Sequence, residues 1–144
     1  GGGGLTPGIA LALEAEAPGL RARTAEPEGF DDAARSLAAG EITRNAALGG
    51  SICDAIVTPQ PGDLTFPILN RLCGPGLVVS DAEALQAIGH AFNRLKLVAE
   101  PGGAVALAAA LFRQDEIDGD DVIVTISGGN VDSDIFSRAL ATLD

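Results

Sequence analysis

The 144 residues suffice for one domain, and a chain of this length buries roughly two-thirds of the surface that its unfolded form exposes. Apolar residues make up 47% of the sequence but only five residues are aromatic, all of them Phe, so the core has to be built from Ala, Leu, Ile and Val. The net charge of −11 repels phosphate backbones and anionic lipid, and we therefore expect neither nucleic acid nor a membrane surface as a partner.

The first part of the chain is predicted to hold short helices and one strand, separated by Gly and Pro. Apolar residues at helical spacing predict the first helix, and Pro18 and Gly19 end it. The predicted elements are a helix over Leu5–Ala17, a strand over Leu20–Glu26, a helix over Asp31–Ala39 and irregular structure over Glu41–Gly62.

The second part alternates helices with apolar strands. Its predicted elements are a helix over Asp63–Leu72, a strand over Gly76–Val79, a helix from Ser80 or Asp81 to about Leu97, a helix from about Gly102, a strand over Asp121–Ile126 and a helix over Asp132–Leu143. Pro67 is expected to kink or end its helix. The continuous apolar run before Ser127 is typical of a strand buried on both faces.

This alternation predicts an α/β fold with three layers, in which a mainly parallel sheet is flanked by helices. Such sheets bind ligands beyond the carboxyl ends of their strands.

Two glycine-rich stretches are candidate anion sites. GGGGL (Gly1–Leu5) precedes a helix, and SGGN (Ser127–Asn130) follows a predicted strand. Glycine lets backbone N–H groups converge on an anion at a helix N-terminus. Neither the P-loop nor the dinucleotide pattern fits, because no Lys-Ser/Thr pair follows the glycines and no strand precedes them in this chain. Taken alone, the four glycines are either a phosphate cradle or a linker or plain turn.

The acidic stretch EPEGFDD (Glu26–Asp32) has two interpretations. Asp31 or Asp32 would cap the helix that follows, or the carboxylates and a backbone carbonyl would bind a hard cation. The single histidine, His90, is interpreted as a solvated helix residue. The single lysine, Lys96, is interpreted as a last-turn residue that favours the helix dipole.

Cys53 and Cys73 lack the spacing of metal ligands, and we expect both to be reduced and buried. The sequence shows no basic-then-apolar signal segment and no apolar run of bilayer length. We therefore expect a cytoplasmic protein.

Five stretches in order resemble the second half of the threonine/serine dehydratase and serine racemase family: GGGGL, EPEGFDDAARSLAAG, DLTFPIL, FNRLKLVAEPGGAVALAAAL and VIVTISGGNVD. These are pyridoxal-phosphate enzymes of the tryptophan-synthase-like fold (fold type II). The resemblance covers essentially residues 1–144 and implies the C-terminal portion of the large cofactor-binding domain. It also implies that the small domain and the Schiff-base lysine lie outside the chain, that the isolated chain is inactive, and that the full-length protein is a homodimer.

The resemblance also implies site residues. The cofactor phosphate would be held by the backbone amides of Gly1, Gly2, Gly3, Gly4 and Leu5. The Ser127 hydroxyl would face the pyridine nitrogen and leave the ring a mild electron sink, which suits β-elimination. A divalent cation such as Mg²⁺ would be bound by Glu26, the carbonyl of Phe30 and Asp32, and this favours the cation over simple capping.

The resemblance has one further implication and one departure. Lys96 and Asn130 match nucleotide contacts of animal serine racemase, but the rest of such a site lies outside this chain. The chain has Cys53-Asp54-Ala55 where family members often have Ala-Asp-Gly, which adds a methyl near the cofactor and puts the substrate in doubt.

The expected reaction is the elimination of water from a β-hydroxy amino acid to give a 2-oxo acid and ammonia. Racemase or hydroxyaspartate dehydratase chemistry in the same family stays open. A non-catalytic phosphate- or cation-binding module also stays open, because the Schiff-base lysine is missing. The expected cofactor is pyridoxal 5′-phosphate.

Overall fold

The computed structural model describes residues 1–143. Its helices and strands, in chain order, are α1 (Leu5–Glu16), β1 (Ala25–Pro27), α2 (Asp32–Ala39), α3 (Phe66–Leu72), β2 (Leu77–Val79), α4 (Asp81–His90), α5 (Pro101–Phe112) and α6 (Ser133–Ala141). Short 3-10 helices span Asp54–Ile56 and Gln114–Glu116, and a π-helix spans Ala91–Leu95. The α/β class is confirmed: the fold is a parallel sheet flanked by helices.

The two strands lie side by side in parallel, with Ala25 opposite Leu77 and Pro27 opposite Val79. Two further backbone hydrogen bonds extend this pairing into the residues that precede the strands. Gly74 N donates to Ala22 O at 2.9 Å, and Leu77 N donates to Thr24 O at 2.8 Å. Pro27 has no N–H to donate, so it closes β1 as expected.

The larger core lies between β2 and the helices α4, α5 and α6. Its buried residues are mostly small, as the composition requires, and include Val79, Ala84, Ile88, Ala104, Ala108 and Ala139. Small residues let the helices approach closely: a Cβ at Gly89 in α4 would lie 2.7 Å from the Ala139 carbonyl of α6. Phe92 and Phe136 close one side of this core edge to face, with ring centres 5.3 Å apart.

A smaller core joins α1, α2 and α3 through Ala10, Ala33 and Leu69. An ion pair between Arg71 and Glu14 joins α3 to α1 at the surface. This packing holds α1 in place behind its glycine-rich start.

Three predicted boundaries are wrong. The first strand starts at Ala25 instead of Leu20. The third helix starts at Phe66 instead of Asp63, and Pro67 stands in its first turn, where proline is tolerated because its missing N–H has no intrahelical partner. The long helix turns into a π-helix after His90, and Lys96, with φ of +60°, ends it at Leu95.

The strand predicted over Asp121–Ile126 is not formed. The sheet of the described residues contains only β1 and β2, and Val122 and Ile123 are 51% and 83% exposed. A strand needs a hydrogen-bonded neighbour, which the apolar pattern alone cannot supply. In the described part of the chain, no helix is both long enough and apolar enough to cross a bilayer.

Candidate functional site

Gly1–Gly4 form a loop that leads directly into α1. Gly3 has φ of +91°, and a Cβ on it would lie 2.7 Å from Thr65 Oγ1, so a larger residue would be strained and crowded. The Thr65 hydroxyl and the Gly62 amide both donate to the Gly2 carbonyl, at 2.8 and 3.1 Å. The loop is thereby fixed at the N-terminus of a 12-residue helix, where free N–H groups and the helix dipole favour an anion.

The glycine loop and Ser127 come from opposite ends of the chain and line the same cavity. The cavity has a volume of about 780 Å³. Its lining includes Gly1–Gly4 and Leu5, the start of α5 at Gly102 and Gly103, and the segment that ends at Ser127. The resemblance implied that both stretches contact one cofactor, and the fold brings them to one cavity.

This lining fits a phosphorylated ring. The loop is bare backbone at the positive end of a helix, and a Cβ at Gly3 would crowd Thr65. Ile56 and Val105 add apolar surface to the same cavity, as a ring face requires. The residues present therefore fit the phosphate and the ring of pyridoxal phosphate.

Residues 127–130 are held against the start of α5. Ser127 N donates to Gly103 O at 3.4 Å, and Glu100 N donates to Gly128 O at 3.0 Å. The backbone N–H of Asn130 donates to Glu100 Oε2 at 2.9 Å. Glu100 was not singled out from the sequence, although a glutamate directly before Pro-Gly-Gly at a helix start is the signal that could have found it.

Glu26 in β1 caps α2 across a sequence gap. Its Oε1 accepts from Ala33 N at 3.0 Å and its Oε2 accepts from Ala34 N at 2.8 Å. Neither Asp31 nor Asp32 caps this helix through its side chain, so the capping interpretation named the wrong residues. The helix amides take the more distant carboxylate because β1 points Glu26 into the interior, where it is 3% exposed.

The Asp32 side chain is fully buried, and one of its two carboxylate oxygens accepts a hydrogen bond from another side chain. Its Oδ1 accepts from Asn45 Nδ2 at 2.7 Å, whereas its Oδ2 has no hydrogen-bond partner within residues 1–143. The same Asn45 nitrogen donates to Thr58 O at 2.8 Å. Asn45 is a second residue that sequence reasoning missed, because it lies in the irregular stretch that showed no motif.

These observations fit a cation beside Asp32. A buried carboxylate oxygen without a donor is a free ligand atom, and the described residues give Glu26 and Asp32 no ion-pair partner. The expected set has two carboxylates and the carbonyl of Phe30. No group of three or more His, Cys, Asp or Glu side chains that could hold a metal occurs within residues 1–143.

Burial shifts the pKa of several groups at and near the site. Desolvation raises the pKa of Glu26 to about 7, against the lowering effect of its two backbone hydrogen bonds. Desolvation also raises the pKa of Asp32. Burial raises the pKa of the Cys53 thiol to about 11, so the thiol is a packing group and not a nucleophile at neutral pH.

The remaining candidates lie apart from the cavity. Lys96 is exposed and donates to Asn93 O at 2.9 Å, at the end of the π-helix. His90 is half-buried and ends α4, which agrees with its interpretation as a helix residue. Ala55 lies in the 3-10 helix Asp54–Ile56, and its methyl faces Gly102.

Known proteins similar to this chain include a serine racemase, an ammonia-lyase and a threonine deaminase. The chain is 38% identical to a serine racemase of Oryza sativa subsp. indica, an alignment that covers 96% of this chain and 42% of that protein. It is 36% identical to an L-threo-3-hydroxyaspartate ammonia-lyase of Saccharomyces cerevisiae, covering 98% and 43%. The crystal structure of a threonine deaminase from T.th. superposes with a TM-score of 0.86 at 41% identity, covering 92% and 44%.

The chain therefore spans less than half the length of these relatives. The family model described as "Pyridoxal-phosphate dependent enzyme" matches residues 1–129. This match covers both the glycine loop and Ser127, the two stretches that line the cavity. The chain belongs to the family of pyridoxal-phosphate-dependent enzymes.

Proposed function

We propose that the chain is the C-terminal portion of the large domain of an ammonia-lyase that removes water from a β-hydroxy amino acid. The product would be a 2-oxo acid and ammonia. One observation carries the proposal: the glycine loop and Ser127 line one cavity of about 780 Å³. The lyase and racemase names of its relatives support the substrate class.

In this proposal the start of the chain binds the cofactor phosphate. The amides of Gly1–Gly4 and Leu5 lie at the N-terminus of α1, whose dipole would stabilise the added negative charge. Arg21 and Arg23 also line the cavity, but Arg21 donates to Cys73 O at 3.3 Å, and Arg23 donates to Pro75 O at 2.7 Å and to Glu116 O. The backbone of the loop, and not an arginine, is therefore the proposed phosphate ligand.

Ser127 is the proposed partner of the ring nitrogen. Its hydroxyl can share a hydrogen bond but carries no charge, so it stabilises a protonated nitrogen less than a carboxylate would. Pyridoxal phosphate, when bound, supplies an electron-accepting ring for chemistry at the α-carbon of an amino acid. The Schiff-base lysine and the small domain would belong to the rest of a longer, homodimeric and cytoplasmic protein.

Glu26, the Phe30 carbonyl and Asp32 are the proposed divalent-cation ligands. The unpartnered Asp32 Oδ2 supports this role, and Glu26 would join β1 and the start of α2 to the same ion. A cation here would hold the turn between β1 and α2, and its proposed role is structural.

The test uses the full-length protein with pyridoxal phosphate. L-threonine, L-serine and L-threo-3-hydroxyaspartate are supplied separately, and 2-oxo acid, ammonia and substrate chirality are measured. We expect 2-oxo acid and ammonia in equal amounts from at least one substrate. Racemisation without 2-oxo acid would favour a racemase, and no turnover of any β-hydroxy amino acid would contradict the proposal.

A non-catalytic module is the second candidate, because the chain matches less than half of its relatives. Calorimetric titration of the 144-residue chain with pyridoxal phosphate and with Mg²⁺ separates the two. Tight binding by the chain alone favours a module. Absent binding with poor folding favours a portion of an enzyme.

A further inference from the structure

We propose that Glu100 is a positioning residue that holds Ser127 in place through the loop formed by residues 127–130. The inference rests on the proposed function, since it assumes that Ser127 meets the cofactor ring. Glu100 is the N-cap residue of α5 and lies next to the loop.

Glu100 makes two hydrogen bonds to the backbone of the loop, one as a donor and one as an acceptor. Its amide donates to Gly128 O at 3.0 Å, and its Oε2 accepts from Asn130 N at 2.9 Å. A methyl group on Gly128 would overlap the Glu100 carboxylate. The carboxylate therefore packs against the Cα of Gly128 and accepts a hydrogen bond from the backbone N–H of Asn130.

The other contacts between the loop and its surroundings are made by backbone atoms. A Cβ at Gly129 would lie 2.7 Å from Val98 O, and one at Gly103 would lie 2.5 Å from Gly128 O, so the loop and the start of α5 touch as bare backbone. Within residues 1–143, the Glu100 carboxylate gives the only side-chain hydrogen bond to residues 127–130. Two adjacent glycines make this segment flexible unless it is bonded.

A charged acceptor suits this position. Hydrogen bonds from amides to a carboxylate are roughly twice as strong as neutral ones. The N-terminus of the 12-residue α5 also stabilises the negative charge. A binding group has to be held within about 0.5 Å of its productive position, and the serine side chain can meet this only if its backbone is fixed.

The first measurement needs no cofactor. Amide hydrogen exchange is followed for residues 127–130 in the full-length protein and in its Glu100→Ala and Glu100→Gln variants. We expect exchange at Asn130 to speed up by about tenfold or more in Glu100→Ala, since a hydrogen bond to a charged group is lost. Glu100→Gln keeps an acceptor oxygen and is expected to retain most of the protection.

The second measurement is the absorption spectrum of bound pyridoxal phosphate as a function of pH. Ser127→Ala defines the spectrum that results when the ring nitrogen loses its partner. We expect Glu100→Ala to move toward that spectrum and Glu100→Gln to stay near the wild type. Glu83→Ala is the control, because it removes a glutamate from the start of α4 without touching residues 127–130.

Faster exchange and a shifted spectrum in Glu100→Ala, both restored by Glu100→Gln, support the proposal. An unchanged spectrum in Glu100→Ala, or the same shift in Glu83→Ala, would show a structural role only and overturns it. An unchanged Asn130 exchange rate also overturns it. If the wild type binds pyridoxal phosphate but Glu100→Ala behaves normally, only this inference fails; if the wild type binds none, the proposed function fails with it.

Discussion

Gly3 shows how a single residue shapes the candidate phosphate site. Its φ of +91° belongs to a region that side chains avoid, and Thr65 occupies the space where a Cβ would lie. At the candidate cation site the single residue that matters most is the buried Asp32, because its Oδ2 has no hydrogen-bond partner among the described residues. The unpartnered oxygen of Asp32 carries a solvation cost that a bound cation would offset.

We predict that Gly3→Ala weakens pyridoxal-phosphate binding by at least about tenfold, through strain at a positive φ. The methyl has to displace the Thr65 side chain, whose hydroxyl fixes the Gly2 carbonyl. Gly8→Ala is the matched control, because Gly8 lies exposed in α1 with open space around it and the change should favour the helix by about 0.5–1 kcal/mol. Fluorescence titration of the full-length protein measures both, and equal affinities in the two variants would contradict the prediction.

At the second site, Mg²⁺ is predicted to stabilise the wild type but not Asp32→Asn. A ligand that binds only the folded state at about 100 times its dissociation constant adds about 2.7 kcal/mol to the free energy of unfolding. Asp31→Asn is the control, since the Asp31 carboxylate lies 3.5 Å from Arg35 Nε and the variant should keep the Mg²⁺ effect. Thermal unfolding with and without Mg²⁺ provides the measurement; an undiminished effect in Asp32→Asn would rule out this residue as a ligand.

At the scale of elements, α4 and the end of α5 are joined through Glu83. This residue completes a capping box with Ser80 and also binds Arg113, whose two terminal nitrogens reach its carboxylate at 2.6 and 2.8 Å. Arg113 in turn donates to Val78 O in β2 at 2.9 Å. One glutamate therefore serves both the start of a helix and the contact between helix and sheet.

The Arg113 hydrogen bond lowers the pKa of Glu83 below its ordinary value of 4.5. A carboxyl group with a lowered pKa adds stability that is present above its ordinary value and is lost as the pH falls through its folded value. Glu83→Gln keeps the cap but removes the ion pair. We expect the variant to be less stable at pH 7 by about 1 kcal/mol, since the pair is partly exposed.

Urea unfolding of the full-length protein at pH 7 and at about pH 3 tests this dependence. The difference between wild type and Glu83→Gln should shrink at the lower pH, as the pH falls toward the lowered pKa of Glu83 in the folded chain. Glu116→Gln is the control, because Glu116 lies 3.7 Å from the same arginine and is half exposed. A difference that persists unchanged in acid would point to lost packing.

At the scale of the whole molecule, the segment from Asp121 to Ile126 leaves an apolar surface uncovered. Ile123 is 83% exposed and Val122 is 51% exposed, although their pattern is that of a buried strand. Unpaired backbone with apolar side chains is a template for association. The isolated 144-residue chain should therefore be marginally folded and should self-associate.

Ile123→Lys is predicted to reduce association of the isolated chain. A charge in the middle of this segment opposes pairing with another copy. Leu64→Lys is the control, because Leu64 is 88% exposed but lies just before α3, outside the segment. Sedimentation velocity over a range of concentrations measures the effect; a monomeric wild-type chain with a sharp thermal transition would contradict the prediction.

Most helices could be predicted because their signals are local. Ser80, at the predicted start of its helix, forms a capping box with Glu83, and Gly40 ends α2 with φ of +75°. The strands were predicted less well, since β1 and β2 exist only through their mutual pairing. The same reason explains why Asp121–Ile126 has the pattern of a strand without the structure of one.

The sequence by itself determined the family, the α/β class and the two glycine stretches, because each depends on residue types in a fixed order. The tertiary structure decided that Gly1–Gly4 and Ser127 line one cavity, that Glu26 and not an aspartate caps α2, and that Asn45 holds Asp32. It also brought Glu100 to the loop after Ile126. These contacts join residues far apart in the chain, and such contacts form only when the helices pack and bring their ends together.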